Sequence, residues 1–388
     1  MKTSHSMLRA RGFSIVELMV SVVVGLLAVM FATRLMVTSE QTKAASLGGS
    51  DSMQNGMLAL FSINTDAAQA GWGLNDDLVN GCNTVLTDSE NFMLATAQRD
   101  GVAITPLAPV VIRNNGTRSD EVTLYSGSSL AGAGSVRIQY DYTGGPEVDT
   151  DSAQPFGFNQ GDVIVVAPEP AGGNCSLAQV SVSPTSSKLR FDAGGAFRFN
   201  TGALATNYQG GHARVFALGR MDKLSFHTWS VSNGVLRLRA TDLAGASENP
   251  QSVVDNVVAL KAQYGFDVRP AATFTPEAGM QVGRWSADMV DADGDASTGN
   301  AGDFQRIAAV RLAVIARSAM PERPAPGQTT CSATTAPLTV FGTASPAGVP
   351  AAPATVELDV PGDPVSWTCY RYRVFETIVP IRNSGWRP

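Results

Sequence analysis

Apolar residues fill the chain from Phe13 to Thr33, and a single charged side chain, Glu17, interrupts them. The next charged residue is Arg34. About 20 apolar residues in a helix span the ~30 Å hydrocarbon core of a bilayer, so this run predicts a membrane-spanning helix. An unpaired carboxylate near one end of such a helix costs on the order of 2 to 3 kcal/mol, which marks Glu17 as a candidate functional residue.

Beyond the membrane-length run, the apolar positions follow a helical period. The recurring positions are Met53, Met57, Leu60, Phe61, Asn64 and Ala67-Ala68, at spacings of three and four residues. This pattern predicts that the same helix continues with one apolar stripe, and we expect the stripe to pack on the rest of the chain. Gly71 and Gly73, which flank Trp72, fit the end of that helix.

From Trp72 onward, short segments that alternate apolar and polar residues are separated by Gly, Pro, Asn and Asp clusters, which is typical of β-strands and turns. The predicted strands are Glu121–Ser126, Ser135–Tyr142, Asp162–Ala167, Leu177–Ser183, Lys188–Asp192, Arg214–Leu218, Lys223–Val231, Val235–Ala240, Val257–Val268, Ile307–Arg317 and Tyr370–Ile381. Residues 321–364 are rich in Pro, Ala and Thr and predict a long surface excursion. The predicted fold class is α+β, with a long N-terminal membrane-spanning α-helix packed on an antiparallel β-rich globular head.

The distribution of charge indicates the orientation of the chain. Lys2, Arg9 and Arg11 precede the apolar run, so its N-terminal side is expected in the cytoplasm and the head outside it. The chain has 28 basic and 34 acidic residues, a net charge of −6; without its first 12 residues it would have 25 basic residues against 34 acidic ones, a net charge of −9. This acidic balance argues against a nucleic-acid-binding surface over the head.

The four cysteines, Cys82, Cys175, Cys331 and Cys369, would lie in an oxidising compartment, where an even count suits two disulfides. Four cysteines allow three pairings. We favour Cys331 with Cys369, because they flank the Pro/Ala-rich excursion, which leaves Cys82 to pair with Cys175. A zinc site is disfavoured, because the sequence has no C-x-x-C motif.

The N-terminus resembles the class III signal of type IV prepilins. The matching features are the basic leader, Gly12 before the cleavage point, Phe13 as the new first residue, and Glu17 four positions later in an apolar helix. The resemblance implies that a prepilin peptidase cleaves after Gly12, that the amine of Phe13 is methylated, and that Glu17 aids assembly by pairing with a terminal amine. It divides the chain into a leader (1–12), a transmembrane part of the helix (13–36), a periplasmic amphipathic part (37–73) and the head (74–388).

Later segments resemble the PilW family of large minor pilins. Ala70-Gly71-Trp72 lies where that family ends its long helix, and the stretches 257–267, 306–312 and 372–383 are similar to its last strands. The implied function is that of a minor pilin that primes or caps a type IV pilus. The implied partners are the prepilin peptidase, other minor pilins, the major pilin, the inner-membrane assembly platform and membrane lipid. We expect a single-pass inner-membrane protein with a periplasmic head, which reaches the pilus after assembly.

Catalytic constellations are not indicated, so we expect a structural protein. His212 and His227 are interpreted as surface or strand histidines, because neither neighbours a nucleophile motif. Two alternatives stay open: a minor pseudopilin of a type II secretion system, or a membrane-anchored periplasmic binding protein or enzyme.

One loop has the composition of a metal site. Asp291, Asp293 and Asp295 occupy alternate positions, as in the first part of an EF-hand loop, and form a candidate Ca²⁺ site. The match breaks at Ala296 and Gly302, where an EF-hand has Gly and Glu. The alternative is a solvated acidic loop.

Overall fold

The computed structural model describes residues 14–129, 134–325 and 327–385. The chain divides into two units, the first ending at Ser50 and the second beginning at Asp51. One helix, α1 (Ile15–Gln69), runs through the described part of the first unit and forms the start of the second.

In the first unit, α1 carries an apolar segment, Ile15–Val37, that is long enough to cross a membrane. Every side chain of this segment is exposed. Its hydroxyl groups bond to the helix itself: Ser21 Oγ donates to the Glu17 carbonyl at 2.6 Å and Thr33 Oγ1 to the Val29 carbonyl at 3.0 Å. These hydroxyl groups therefore have hydrogen-bond partners without water, which a lipid environment requires.

The second unit is built mainly from strands. In chain order the first are β1 (Cys82–Val85), β2 (Ala97–Arg99), β3 (Val102–Ile104), β4 (Pro106–Leu107), β5 (Val110–Arg113), β6 (Glu121–Ser126) and β7 (Ser135–Arg137). They are followed by β8 (Glu147–Asp149), β9 (Asp162–Pro168), β10 (Asn174–Gln179), β11 (Lys188–Arg190), β12 (Ala213–Arg220), β13 (Ser225–Ser232) and β14 (Val235–Ala240). The last are β15 (Gln251–Asp255), β16 (Val257–Phe266), β17 (Arg284–Ser286), β18 (Ile307–Arg317), β19 (Leu338–Val340), β20 (Ala354–Val356) and β21 (Tyr372–Pro380). A short helix, α2 (Ala301–Phe304), precedes β18, and 3₁₀ turns occupy Met221–Lys223, Ala271–Thr273, Pro276–Ala278, Trp367–Cys369 and Arg382–Gly385.

Three larger sheets organise these strands. The first has the order β4-β1-β10-β9-β12-β7, the second β15-β14-β13-β6-β5, and the third β17-β16-β18-β21. The smaller pairs are β11-β8, β19-β20 and β2-β3. Among the described pairs, only β1 and β10 run parallel. The predicted α+β class, with a helix and a mostly antiparallel β-rich head, is confirmed.

Alternating residues of the sheets enter different cores, as the two-residue period of a strand requires. In β9, Val163 and Val165 face the main core, whereas Ile164 and Val166 face a second core with Leu189. The first sheet is therefore buried on both faces. The main core also contains residues of α1 and of the second and third sheets.

The predicted surface excursion, 321–364, is partly a covering layer. Phe341 and Leu358 from it pack in a third core with Ala313 and Ile315 on the outer face of β18. Arg311 of β18 lies under the same layer, with its guanidinium 4.8 Å from the Trp285 ring centre and 4.5 Å from that of Phe341. The segment was interpreted as a surface loop because its Pro and Ala content hides the few large apolar residues that anchor it.

The predicted strands differ in accuracy. Glu121–Ser126, Val235–Ala240 and Ile307–Arg317 have the bounds of β6, β14 and β18. The prediction for Ser135–Tyr142 is too long, because the chain leaves regular pairing after Arg137 and makes only isolated bridges farther on. Strands β1 to β5 were missed, since each has two to four residues, too few to show a period.

Candidate functional site

Glu17 lies in the first turn of α1, at the start of the membrane-length segment, and its side chain is exposed. The next charged residue along the helix, Arg34, is roughly 25 Å away at ~1.5 Å per residue, too far to pair with it. The carboxylate is thus placed to meet a cation from outside this part of the helix. Gly12 and Phe13, the predicted cleavage and methylation residues, lie outside the described residues, so their roles and that of Glu17 stay predictions.

The part of α1 in the second unit packs on the head through mostly small residues. Gly56, Ala59, Ile63 and Ala67 form a buried row at spacings of three and four residues. A Cβ at position 56 would overlap the ring of Phe375 on β21. The helix and the third sheet therefore approach closely at Gly56, where a larger side chain would not fit.

The predicted apolar stripe of α1 is only partly buried: Leu60 and Ala67 pack against the main core, but its largest members do not. Met53, Met57 and Phe61 are 46%, 55% and 67% exposed, and Leu58 is 52% exposed. We call these four residues the exposed flank. The prediction was wrong for Met53, Met57 and Phe61, because the face of α1 that packs on the head is one with mostly small residues. The exposed flank is apolar surface that the head leaves uncovered, which often marks an interaction site.

A histidine joins α1 to the second sheet. His227 of β13 contacts Asp66 of α1 through Nδ1 and Asp242 through Nε2, both at 2.8 Å, and Trp229 Nε1 donates to Asp66 at 2.8 Å. Burial lowers the pKa of His227, but its hydrogen bonds to Asp242 and Asp66 outweigh burial and raise the pKa to about 9. The sequence interpretation of a surface or strand histidine missed this role, because its partners are 161 and 15 residues away.

Replacement of His227 by glutamine should change how stability depends on pH. The folded pKa of about 9 lies above the ordinary histidine pKa of 6.5, so the contribution to stability is complete below pH 6.5 and is lost as the pH rises through 9. At neutral pH we expect H227Q to lower the free energy of unfolding by roughly 2 to 3 kcal/mol, a deficit that shrinks towards pH 9. Urea unfolding of both proteins at a series of pH values measures it; a deficit independent of pH would contradict this assignment.

Two disulfides are present, with the pairing favoured from the sequence. Cys82 of β1 is bonded to Cys175 of β10, 93 residues later, and Cys331 to Cys369, 38 residues later. The first bond joins neighbouring strands within the main core. The second closes the base of the segment that covers the third sheet.

The acidic residues that cluster at the candidate metal loop differ from the three that were predicted. Ligand atoms of Asp291, Asp293 and Asp303 lie within 4.8 Å of one another. Asp295 is not in this group; it accepts hydrogen bonds from Ser297 N at 2.8 Å and Asn300 Nδ2 at 2.7 Å. Spacing along an EF-hand-like loop suggested Asp295, but the short helix α2 brings Asp303 back to the cluster instead.

Asp303 is fully buried, and backbone N–H groups of Gly299 and Ala292 donate to it at 2.7 and 2.5 Å. Burial raises its pKa to about 6 despite these bonds. Ca²⁺ binding here stays a prediction. Calorimetric titration of the full chain at pH 7 should give heat that is absent in D293N; no heat at millimolar Ca²⁺ in the unaltered protein would dispose of the site.

A membrane-length apolar segment in α1 and a mostly antiparallel β-rich head are both features predicted from the prepilin resemblance. Residues 227–383 match the family model of type IV pilus-assembly protein W. The predicted resemblance to the PilW family is confirmed. The match begins in β13 and extends past β21, so it includes the third sheet and all three segments of 257–383 compared above.

This chain is also similar to a solved pilin structure. That structure is of a type IV-like pilin from Thermus thermophilus, 13% identical, and the similarity covers 58% of this chain and 86% of that chain with a TM-score of 0.20. No match was found among curated proteins. The family match supports a type IV pilus protein, and the apolar N-terminal helix fits a membrane anchor.

Proposed function

We propose that this protein is a minor pilin of a type IV pilus. It is cleaved after Gly12 by the prepilin peptidase, methylated at Phe13, and held in the inner membrane with its head in the periplasm. It then joins other minor pilins on the assembly platform, where it primes the fibre or occupies its tip beside the major pilin.

The exposed flank of α1 is the observation that carries this proposal. In one helix, the chain has an apolar span, Ile15–Val37, with Glu17 near its start and, farther along, large apolar side chains that its own head does not bury. Burial of a large apolar side chain is worth about 1.5 to 3 kcal/mol. Helices of neighbouring subunits, packed side by side, would bury both the span and the flank, as a filament core does.

The size of the head supports a minor rather than a major subunit. The head carries three larger sheets and an additional covering layer on the third. A subunit of this bulk suits the priming complex or the tip better than repeated stacking along a thin fibre. The finer assignments, which concern processing and position in the fibre, rest on this reasoning and on the resemblance.

Replacement of Glu17 by alanine should block assembly without blocking insertion. The span becomes more apolar, so the protein should still insert and be cleaved. Loss of an ion pair that offsets a cost of about 2 to 3 kcal/mol should reduce surface fibres roughly 30- to 150-fold. Fibres are counted by microscopy of cells that express the variant, and intact mass shows whether residues 1–12 are removed.

Thr33→Ala is the matched control, because Thr33 is also polar, lies in the same span, and bonds only to its own helix. It should leave fibre numbers unchanged. Normal piliation in E17A would contradict the proposal. Loss of exoprotein release with fibres intact would assign the chain to a type II secretion system instead.

A further inference from the structure

Strand β21 forms one edge of the third sheet, and its outer side is unpaired in the described residues. It pairs with β18 over nine consecutive positions, from Ala309↔Pro380 to Arg317↔Tyr372, without a register shift. The other edge of this sheet, β17, has three residues. A long and regular free edge is uncommon, because it can pair with a strand of another chain.

The hydrogen bonds at the two ends of β21 show which of its backbone groups point outward. Ile381 N donates to the Ala308 carbonyl at 2.9 Å, and Ser318 N donates to the Arg371 carbonyl at 2.8 Å. Backbone groups in an antiparallel strand alternate between its two sides. Odd-numbered residues of β21 therefore bond to β18, while Val374, Glu376 and Ile378 direct their N–H and C=O groups away from it.

The outward side is accessible at these positions. The side chains of Glu376 and Ile378 are exposed, Ile378 by 42%, and that of Val374 is half-buried. No described residue bonds to the outward backbone groups of the three residues. Three N–H and three C=O groups thus remain in a row at strand spacing, and only an extended peptide presents the complementary alternation of donors and acceptors.

The charge of the edge favours one kind of peptide. Arg373 and Arg382 are exposed, and among the described residues neither is paired with an acidic side chain, whereas Arg371 is paired with Glu322. Glu376 is exposed but accepts a hydrogen bond from Phe341 N at 2.8 Å. The edge is therefore locally basic on a chain with a net charge of −6. A second copy would bring the same arginines, so an acidic strand fits better.

We propose that the free edge of β21 is a docking site for an extended acidic segment of a different protein, which adds to the third sheet as a further strand. Backbone groups of Val374, Glu376 and Ile378 bind the segment, and Arg373 selects its charge. The proposal concerns this edge alone and does not depend on the function proposed above.

The test uses the purified full chain in detergent micelles and an acetylated, fluorescent eight-residue peptide that alternates valine with glutamate and threonine. Fluorescence anisotropy should show saturable binding. Ile378→Pro removes one outward N–H and places a ring at the edge, while the bonds of Thr377 and Val379 to β18 remain. We expect I378P to bind at least about tenfold more weakly.

Val253→Pro is the matched control. Val253 lies on β15, the edge of the second sheet, at a register shift where it opposes no residue, and it is 38% exposed. V253P should bind the peptide like the unaltered protein. Arg373→Glu changes an exposed side chain and does not disturb the core. It should weaken binding of the acidic peptide and strengthen binding of a matched peptide with lysine in place of glutamate.

Three results would overturn the proposal. The first is no saturable binding of the acidic peptide by the unaltered protein. The second is that I378P, with an unchanged melting temperature, binds the acidic peptide as tightly as the unaltered protein does. If I378P melts at a lower temperature, the deciding result is instead that R373E binds the acidic and the lysine peptide equally well. The third is a concentration-dependent homodimer that I378P abolishes, which would make a second copy the occupant.

Discussion

Replacement of Lys261 by methionine is expected to lower the free energy of unfolding by about 3 to 5 kcal/mol. Lys261 of β16 is 2% exposed and pairs with Asp120, whose side chain is fully buried. Its Nζ also donates to the carbonyls of Gly116 and Arg118 at 2.9 and 3.1 Å. Methionine fills the space but leaves the Asp120 charge buried without its cation, and this uncompensated charge is the main cost.

The reference for this prediction is the double variant K261M/D120N, measured by urea unfolding of the full chain. Burial already raises the pKa of Asp120, although Lys261 opposes that effect. Asparagine removes the charge and keeps one acceptor oxygen, enough for one of the two backbone donors, Asn115 N or Ala262 N, so roughly half of the lost stability should return. Lys188→Met, at an exposed pair with Glu147, should change little. Equal losses in K261M and K261M/D120N would show that the loss is not caused by the stranded charge.

Replacement of both Cys82 and Cys175 by alanine should have an effect of similar size. The bond closes a loop of 93 residues, for which the chain-entropy estimate is roughly 4 to 5 kcal/mol. Cys82 and Cys175 are also 6% and 0% exposed, so their loss disturbs the packing of the main core. Thermal unfolding measures the effect.

The second disulfide supplies the comparison. Cys331–Cys369 closes 38 residues and holds the covering layer rather than the main core. Its removal should cost less, about 4 kcal/mol by the same estimate, and should act first on that layer. A larger loss from Cys331/Cys369 than from Cys82/Cys175 would mean that the covering layer, rather than the main core, limits the stability of the head.

Some of the fold could be predicted because its signal is local. The apolar run of α1 and the strands with several alternating pairs, such as β14 and β18, show their period within one segment. The parallel pair β1–β10 could not be predicted, because it depends on a contact between residues about 90 positions apart, Asn83 and Asn174. Gly56 in the packing row of α1 was missed for a related reason, since only the approach of Phe375 explains why it faces inward.

The candidate site divides in the same way. Gly12, Phe13 and Glu17 lie within one short stretch of sequence, so their motif can be recognised from the sequence. The link between Asp66 and His227 joins a helix to a distant strand, and no spacing rule reports it. Asp303 joins Asp291 and Asp293 through the turn at α2, whereas the sequence rule assumed a loop that coils like an EF-hand. The roles of these residues depend on contacts between distant parts of the chain, which a single sequence does not show.

The uncovered methionines and phenylalanine of α1 have a practical consequence for work on the isolated protein. A version truncated at about residue 50 to make it water-soluble would retain Met53, Met57 and Phe61 on its surface. Such a fragment would expose this apolar surface to water and tend to self-associate through it. Oligomers of that fragment would then form because the helix lacks its native partners, and they would not show the native stoichiometry.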